Sequence, residues 1–137
     1  MPETIGKLRY RIDGPILKVY LEGEYPMEEF LGLFEKAFND PLAPERVAIL
    51  MDGRFVAVER STRDIERITD YFEKWNKRII CEAAIVSSDY IFGVLRQASS
   101  YAEFGGRKLR PFRDPEAARE WIMKQLKESG TASDDNG

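Results

Sequence analysis

Two short apolar runs separated by an amphipathic segment constrain the fold of this chain more than any other feature. The first is VAILMD, which ends at Asp52, and the second lies within RIICEAAIVSSD, residues 78–89. Both have the length of a strand, and neither shows the alternation of polar and apolar residues that is typical of a strand with one solvent-exposed face. Such runs are typical of central strands that are covered on both faces of a sheet.

The segments around these runs predict helices and further strands. KLRYRIDGPILKVYLEGEY at the start predicts a hairpin that turns at Asp13 and Gly14, because both residue types tolerate positive φ. Helical stripes of apolar residues follow at about 26–38, 62–77, 90–104 and 115–126, and KLRPFRD, whose Pro111 suits a sheet edge, predicts a short strand. The order β-β-α-β-α-β-α-β-α predicts an α/β fold with one mixed, mostly parallel five-stranded sheet, four helices and an N-terminal antiparallel hairpin.

The length of 137 residues predicts one domain over 1–128, followed by a disordered tail over 129–137, where SGTASDDNG is small and polar. The chain has no histidine and one cysteine, Cys81, so we expect no metal, no cofactor and no disulfide. A net charge of -3 argues against nucleic-acid binding. We also expect no membrane span and a cytoplasmic location, because no apolar run approaches the ~20 residues that a bilayer requires.

Several sequence segments, in this order, resemble the SpoIIAA-like family, whose members are related to the STAS and STAS/SEC14 domains. They are GPILKVYLEGEY, ILMDGR, AIVSSDYIFGVLRQ and PFRDPEAAREWI, and they cover about residues 7–126. The resemblance implies a fold that binds proteins or small ligands. In the anti-sigma antagonists of this fold, a phosphorylated serine begins the helix after the third strand, usually in an Asp-Ser phrase. Here Asp52 is followed by Gly53 and Arg54, and the next serine is Ser61.

Candidate ligand-binding residues follow the ends of the predicted strands, where open α/β sheets bind ligands. They are Tyr25 (with Glu24 beside it), Asp52, Arg54, Ser88, Asp89 and Arg113. Either arginine could hold a carboxylate or phosphate through its two-pronged guanidinium. The alternative is a structural ion pair in which Asp52 and an arginine order the loops.

The segment Phe55–Val58 places four apolar residues where a loop is expected. It predicts a subunit interface, an apolar lip on a ligand pocket, or a segment folded back on the domain. Ser61 and Thr62 come next, at the start of a helix. Ser61 suits an N-cap, and a phosphate on either hydroxyl would gain from the helix N-terminus.

No nucleophile–base set, phosphate-binding glycine loop or metal cluster is present, so we do not expect an enzyme. The leading hypothesis is a regulatory domain that binds a protein partner, including itself as a homodimer. A second hypothesis is a carrier or sensor of a small, partly apolar, fatty-acid-like anion, with its carboxylate on Arg54 and its tail against Phe55. A third is a phosphoswitch at Ser61.

Overall fold

The computed structural model describes residues 6–57, 60–104 and 108–130. In chain order, the elements are β1 (Gly6–Asp13), β2 (Ile16–Gly23), α1 (Met27–Phe38), β3 (Val47–Val56), α2 (Thr62–Glu73), a short 3-10 helix (Asn76–Arg78), β4 (Ile79–Ile85), α3 (Asp89–Phe104), β5 (Leu109–Phe112) and α4 (Pro115–Glu128). The predicted positions Val58, Gly105 and Gly106 and the tail from residue 131 onward lie outside these ranges.

The five strands form one sheet in the order β1-β2-β3-β4-β5. β1 and β2 pair antiparallel, whereas β2, β3, β4 and β5 pair parallel with one another. The predicted fold class, a mixed and mostly parallel sheet with four helices and an N-terminal hairpin, is therefore confirmed. The parallel strands also place their carboxyl ends at one edge, which we call the C-terminal edge.

The helices divide between the two faces of the sheet. The parallel strands follow one another in order, and crossovers of one hand then carry α1, α2 and α3 over the same face. The core of this face, the α1–α3 face, is built around Phe34, Phe38, Ile49 and Phe72. After β5 the chain passes to the opposite face, the α4 face, where Ile122 and other side chains of α4 pack on β3 and β4.

Three predicted boundaries were wrong. The hairpin turn is Gly14–Pro15, one residue later than predicted, because Asp13 pairs with Ile16 and Gly14 supplies the positive φ of 59°. α2 ends at Glu73 rather than at Lys77, and the short 3-10 helix separates it from β4. β3 does not end at Asp52, since Glu22 and Gly23 of β2 pair with Phe55 and Val56 and extend the strand.

A β-bulge in β3 explains the third error. Tyr20 pairs with Asp52 and Glu22 pairs with Phe55, so three steps along β3 match two steps along β2. One extra residue is therefore inserted into β3 near Gly53. A bulge of this kind reverses the alternation of side chains beyond it. Gly53 and Arg54, which were expected to follow the strand, lie within this bulged strand.

Candidate functional site

A cavity of about 340 Å³ lies on the α1–α3 face, between the sheet and helices α2 and α3. Most of its walls are apolar. On the sheet side they include Leu21, Met51, Gly53, Ala84 and Val86, and on the helix side they include Ile65, Ile68, Phe72, Ile91 and Leu95. Volumes of about 300–1,000 Å³ with apolar walls and a few polar groups are typical of small-molecule sites.

Small residues on the sheet help to create this space. Gly53 and Ala84 form part of the floor, opposite Ile65 and Ile68 of α2. A glycine and an alanine project little or no side chain above the strands, and α2 lies beside α3 without filling the gap. The apolar stripe of α2 therefore faces a cavity over part of its length instead of a packed sheet.

The outer end of the cavity, at the C-terminal edge, carries a guanidinium. Arg60 donates a hydrogen bond of 2.7 Å from Nη2 to the backbone oxygen of Tyr25, and its Cζ lies 4.9 Å from the centre of the Tyr25 ring. Both residues line the cavity. Burial raises the pKa of the Tyr25 hydroxyl, and Arg60 only partly opposes that effect. Tyr25 is thus a neutral, mostly buried wall beside a fixed positive charge.

The two arginines that the sequence predicts at this edge, Arg54 and Arg113, are already paired with carboxylates. Arg54 makes two side-chain hydrogen bonds to Asp52, of 3.0 Å and 2.8 Å. Burial alone would raise the pKa of Asp52, but hydrogen bonds from the Arg54 side chain and backbone outweigh it and lower that pKa. Arg113 lies 2.6 Å from Asp89. Within the described ranges, no carboxylate forms a salt bridge with Arg60. Unlike Arg54 and Arg113, Arg60 therefore has a positive charge that a ligand could pair with.

The inner end of the cavity carries the carboxyl group of a glutamate. Glu82 lines it from β4, and Leu109 of β5, its neighbour in the sheet, also lines it. Glu82 is only 2% exposed, so bulk water does not reach its side chain freely. The adjacent Cys81 is buried, and this burial, reinforced by Glu82, raises the pKa of its thiol to about 12.

The structure divides the predicted ligand-binding residues into two groups. Tyr25 and Ser88 line the cavity, whereas Asp52, Arg54, Phe55, Asp89 and Arg113 do not. Glu24 is exposed. Phe55 is 54% exposed, and its ring centre lies 5.3 Å from the Cζ of Arg54. For Arg54 and Phe55, the bulge in β3 accounts for the exclusion, because Gly53 and Val56 line the cavity but neither residue between them does.

The predicted phosphorylation positions, Ser61 and Thr62, lie at the exposed start of α2. Ser61 Oγ accepts a 3.1 Å hydrogen bond from the backbone N–H of Asp64, and the Asp64 side chain accepts from the backbone N–H of Ser61. This capping box satisfies backbone donors that a helix N-terminus leaves open. The predicted N-cap at Ser61 is confirmed. Ser88 has a similar role before α3, because its Oγ accepts a hydrogen bond from the backbone N–H of Ile91.

Sequence reasoning missed Arg60 and Glu82 as site residues. Arg60 directly precedes the predicted N-cap Ser61, and Glu82 occupies one position of a predicted buried strand, so neither residue stands out as a ligand contact. One signal was present in the sequence, since a glutamate inside an apolar strand must find a special environment.

The same fold occurs in a solved protein of very different sequence. That protein is an uncharacterized member of the DUF3478 family, with a SpoIIAA-like fold, from Shewanella loihica PV-4. The match has a TM-score of 0.59 and 18% sequence identity, and it covers 89% of this chain and 98% of that chain. This chain has a SpoIIAA-like fold. No protein-family model matches the sequence, and no curated protein matches it significantly.

Two further findings concern the SpoIIAA-like domain as far as the structure describes it. None of the described helices combines the length and the apolar character needed to cross a membrane. Over the same ranges, no group of three or more His, Cys, Asp or Glu side chains is placed to hold a metal ion.

Proposed function

We propose that this SpoIIAA-like domain is a non-catalytic carrier or sensor that binds a small, largely apolar anion in the cavity beneath α2 and α3. The observation that carries the proposal is the combination of an apolar cavity of about 340 Å³ with an arginine, Arg60, at its outer end. Among the two binding hypotheses drawn from the sequence, this geometry favours the ligand carrier. The anchoring arginine in this proposal is Arg60 instead of Arg54.

The chemistry of Arg60 supports an anionic head group. A guanidinium has five N–H donors in a planar fork, and one of them is used on the Tyr25 backbone. Contact with the Tyr25 ring and backbone restricts the arginine, so less rotamer entropy is lost when a ligand binds. A carboxylate could therefore form a charge-assisted pair with Arg60 while its alkyl chain lies against Ile65, Ile68 and Met51.

The test is binding of decanoate to the full chain, measured by calorimetry and by displacement of the anionic apolar dye anilinonaphthalene sulfonate. Arg60→Gln should weaken decanoate binding by about 10- to 100-fold, the range expected when a charge-assisted hydrogen bond is lost. Arg63→Gln is the matched control, because it removes the same charge from the exposed side of α2, outside the cavity lining. Equal loss in both variants would show a general charge effect, and absence of decanoate binding to the parent protein would refute the proposal.

A second candidate function, binding of a protein partner or a second copy of the chain, is favoured by one separate observation. Phe55 is a large apolar side chain that is 54% exposed at the end of β3, beside the ion-paired Arg54. Aromatic residues and arginine are enriched at protein interfaces. Phe55→Ser should then reduce the mass in solution without changing decanoate binding, since Phe55 does not line the cavity. An unchanged monomeric mass in both proteins would remove the homodimer from consideration.

A further inference from the structure

The cavity has a guanidinium at its outer end and the carboxyl group of Glu82 at its inner end. We infer that this carboxyl group is ionised and that the ligand carries a hydrogen-bond donor at the end remote from its anionic head. This inference rests on the proposed function, because it concerns the ligand of the same cavity. It specifies a bifunctional class, medium-chain acids with a hydroxyl or an ammonium group at the ω position, in place of simple fatty acids.

The order of lining residues along the secondary structure separates Arg60 from Glu82. Arg60 precedes α2 at the C-terminal edge, and α2 then lines the cavity through Ile65, Ile68 and Phe72 as it runs inward. On the sheet, the lining residues on β4 and just beyond it extend from Glu82 to Val86. Four residues of strand span about 13 Å at about 3.3 Å per residue. The distance from the outer end of the cavity to the carboxylate is therefore close to the length of an extended medium-chain fatty acid.

The register of the sheet gives the same order. Glu82 pairs with Ile49, whereas Ile85 pairs with Asp52 next to the bulge. Gly53, Val56 and Ala57 line the cavity beyond that level, towards Arg60. A chain whose head lies on Arg60 and whose body follows the floor past Ala84 therefore points its far end towards Glu82.

The chemistry of Glu82 determines what that far end should be. An ionised carboxylate accepts hydrogen bonds at about four positions, so it can receive a donor from a ligand in addition to its contacts within the protein. A methyl end would lie against the carboxylate and offer it no hydrogen bond. A hydroxyl or ammonium end supplies a donor at a site that is 2% exposed, where the surrounding dielectric is low. A second carboxylate would meet a like charge, which is unfavourable.

The experiment compares four ligands of one chain length on the full chain by calorimetry: decanoate, ω-hydroxydecanoate, ω-aminodecanoate and decanedioate. We expect ω-hydroxydecanoate and ω-aminodecanoate to bind at least about tenfold more tightly than decanoate, since a hydrogen bond to a charged group has this magnitude. Decanedioate should bind more weakly than decanoate. ω-Hydroxyhexanoate should show no gain over hexanoate, because the shorter chain does not reach Glu82.

Glu82→Gln provides the second part of the test. It keeps an acceptor oxygen and removes the negative charge, so the preference for ω-aminodecanoate should fall and decanedioate should no longer be rejected. Ratios between ligands are compared within each protein, so a general loss of affinity in the variant does not affect the result. If this variant does not fold, the four ligands on the parent protein still decide the matter.

The outcomes separate this inference from the proposed function. Tight decanoate binding with no gain from an ω-hydroxyl or ω-amino group would overturn the inference and leave the proposed function in place. Decanedioate binding as tightly as the hydroxy acid would also overturn it. If none of the four ligands binds, the proposed function and this inference both fail.

Discussion

The two faces of the sheet use small residues in different ways. On the α4 face, Ala48 and Ala83 lie under Ala118 and Ile122, and all four are fully buried. There the small side chains of the strands leave room for the buried side chains of α4. On the α1–α3 face, Gly53 and Ala84 lie under α2 and α3, yet a cavity of about 340 Å³ separates them. A small residue in a buried strand can therefore lie under a packed helix or under a cavity. The position of the helix above the strand decides between the two.

Aromatic contacts at the C-terminal end of α2, and just after it, hold this helix against α1. Phe72 packs edge-on against Phe34 with ring centres 4.8 Å apart, and Trp75, just after the helix, stacks on Phe38 at 4.6 Å. These contacts join α2 to α1, and the floor beneath Ile65 and Ile68 holds Gly53 and Ala84. The aromatic contacts thus support one half of the helix while the other half covers the cavity.

The largest expected difference between the two faces comes from one substitution made on each. Ile122→Ala removes a side chain that is 0% exposed in the α4 face and should lower the free energy of unfolding by about 2–5 kcal/mol. Ile68→Ala removes the same atoms from a partly buried side chain that already borders empty space, so we expect a loss of about 1 kcal/mol. Urea denaturation of both variants measures the difference. Equal losses would mean that the α1–α3 face is as fully packed as the α4 face.

A smaller difference in stability is expected when a larger side chain replaces an alanine on each face of the sheet. Ala83 and Ala84 are neighbours on β4 and face opposite sides of the sheet. Ala83→Leu pushes into the closed contact with α4 and should cost about 1–3 kcal/mol through overpacking. Ala84→Leu extends into the cavity and should be close to neutral in stability while it weakens decanoate binding. A cost at Ala84 equal to that at Ala83 would contradict an open cavity at this position.

The fold could be predicted from the sequence because its main signals are periodic and local. The apolar runs at 47–52 and 79–86 and the helical stripes depend on neighbouring residues only, and the observed elements lie within a few positions of them. The errors in β3 arose from a long-range cause. Pairing with Glu22 and Gly23 extends the strand through Phe55 and Val56, and the bulge changes which side chains reach the cavity. A glycine inside a strand often marks a bulge, and Gly53 was the available signal.

The site could be predicted only in part, for the same physical reason. The sequence points to the C-terminal edge of the parallel strands, and Tyr25 and Ser88 line the cavity at that edge. The choice among arginines depended on pairing, which sequence does not reveal. Arg54 is two residues from Asp52 and forms a bidentate pair with it, whereas Arg60 reaches back 35 positions to Tyr25. The cavity itself depends on the height of α2 above the sheet, which no local pattern specifies.

The smallest expected effect concerns the N-caps of the helices on the two faces. Ser61 caps α2 through the N–H of Asp64, and Asp114 caps α4 through the N–H of Ala117. Removing either cap with alanine should cost about 0.5–2 kcal/mol locally. Because the first turns of α2 cover a cavity, we expect Ser61→Ala to accelerate hydrogen exchange in α2 more than Asp114→Ala accelerates it in α4, where Ala118 and Ile122 remain buried.

Ser61→Asp is the control for this last comparison, because aspartate also caps a helix and adds the negative charge of a phosphate mimic. If Ser61 acts only as a cap, Ser61→Asp should restore most of the protection of α2 and leave decanoate binding close to that of the parent. Arg60 is the adjacent residue, so a regulatory phosphate at Ser61 would instead compete with the ligand for its guanidinium. Loss of decanoate binding in Ser61→Asp, with binding retained in Ser61→Ala, would therefore favour the phosphoswitch and make the first turn of α2 part of the ligand site.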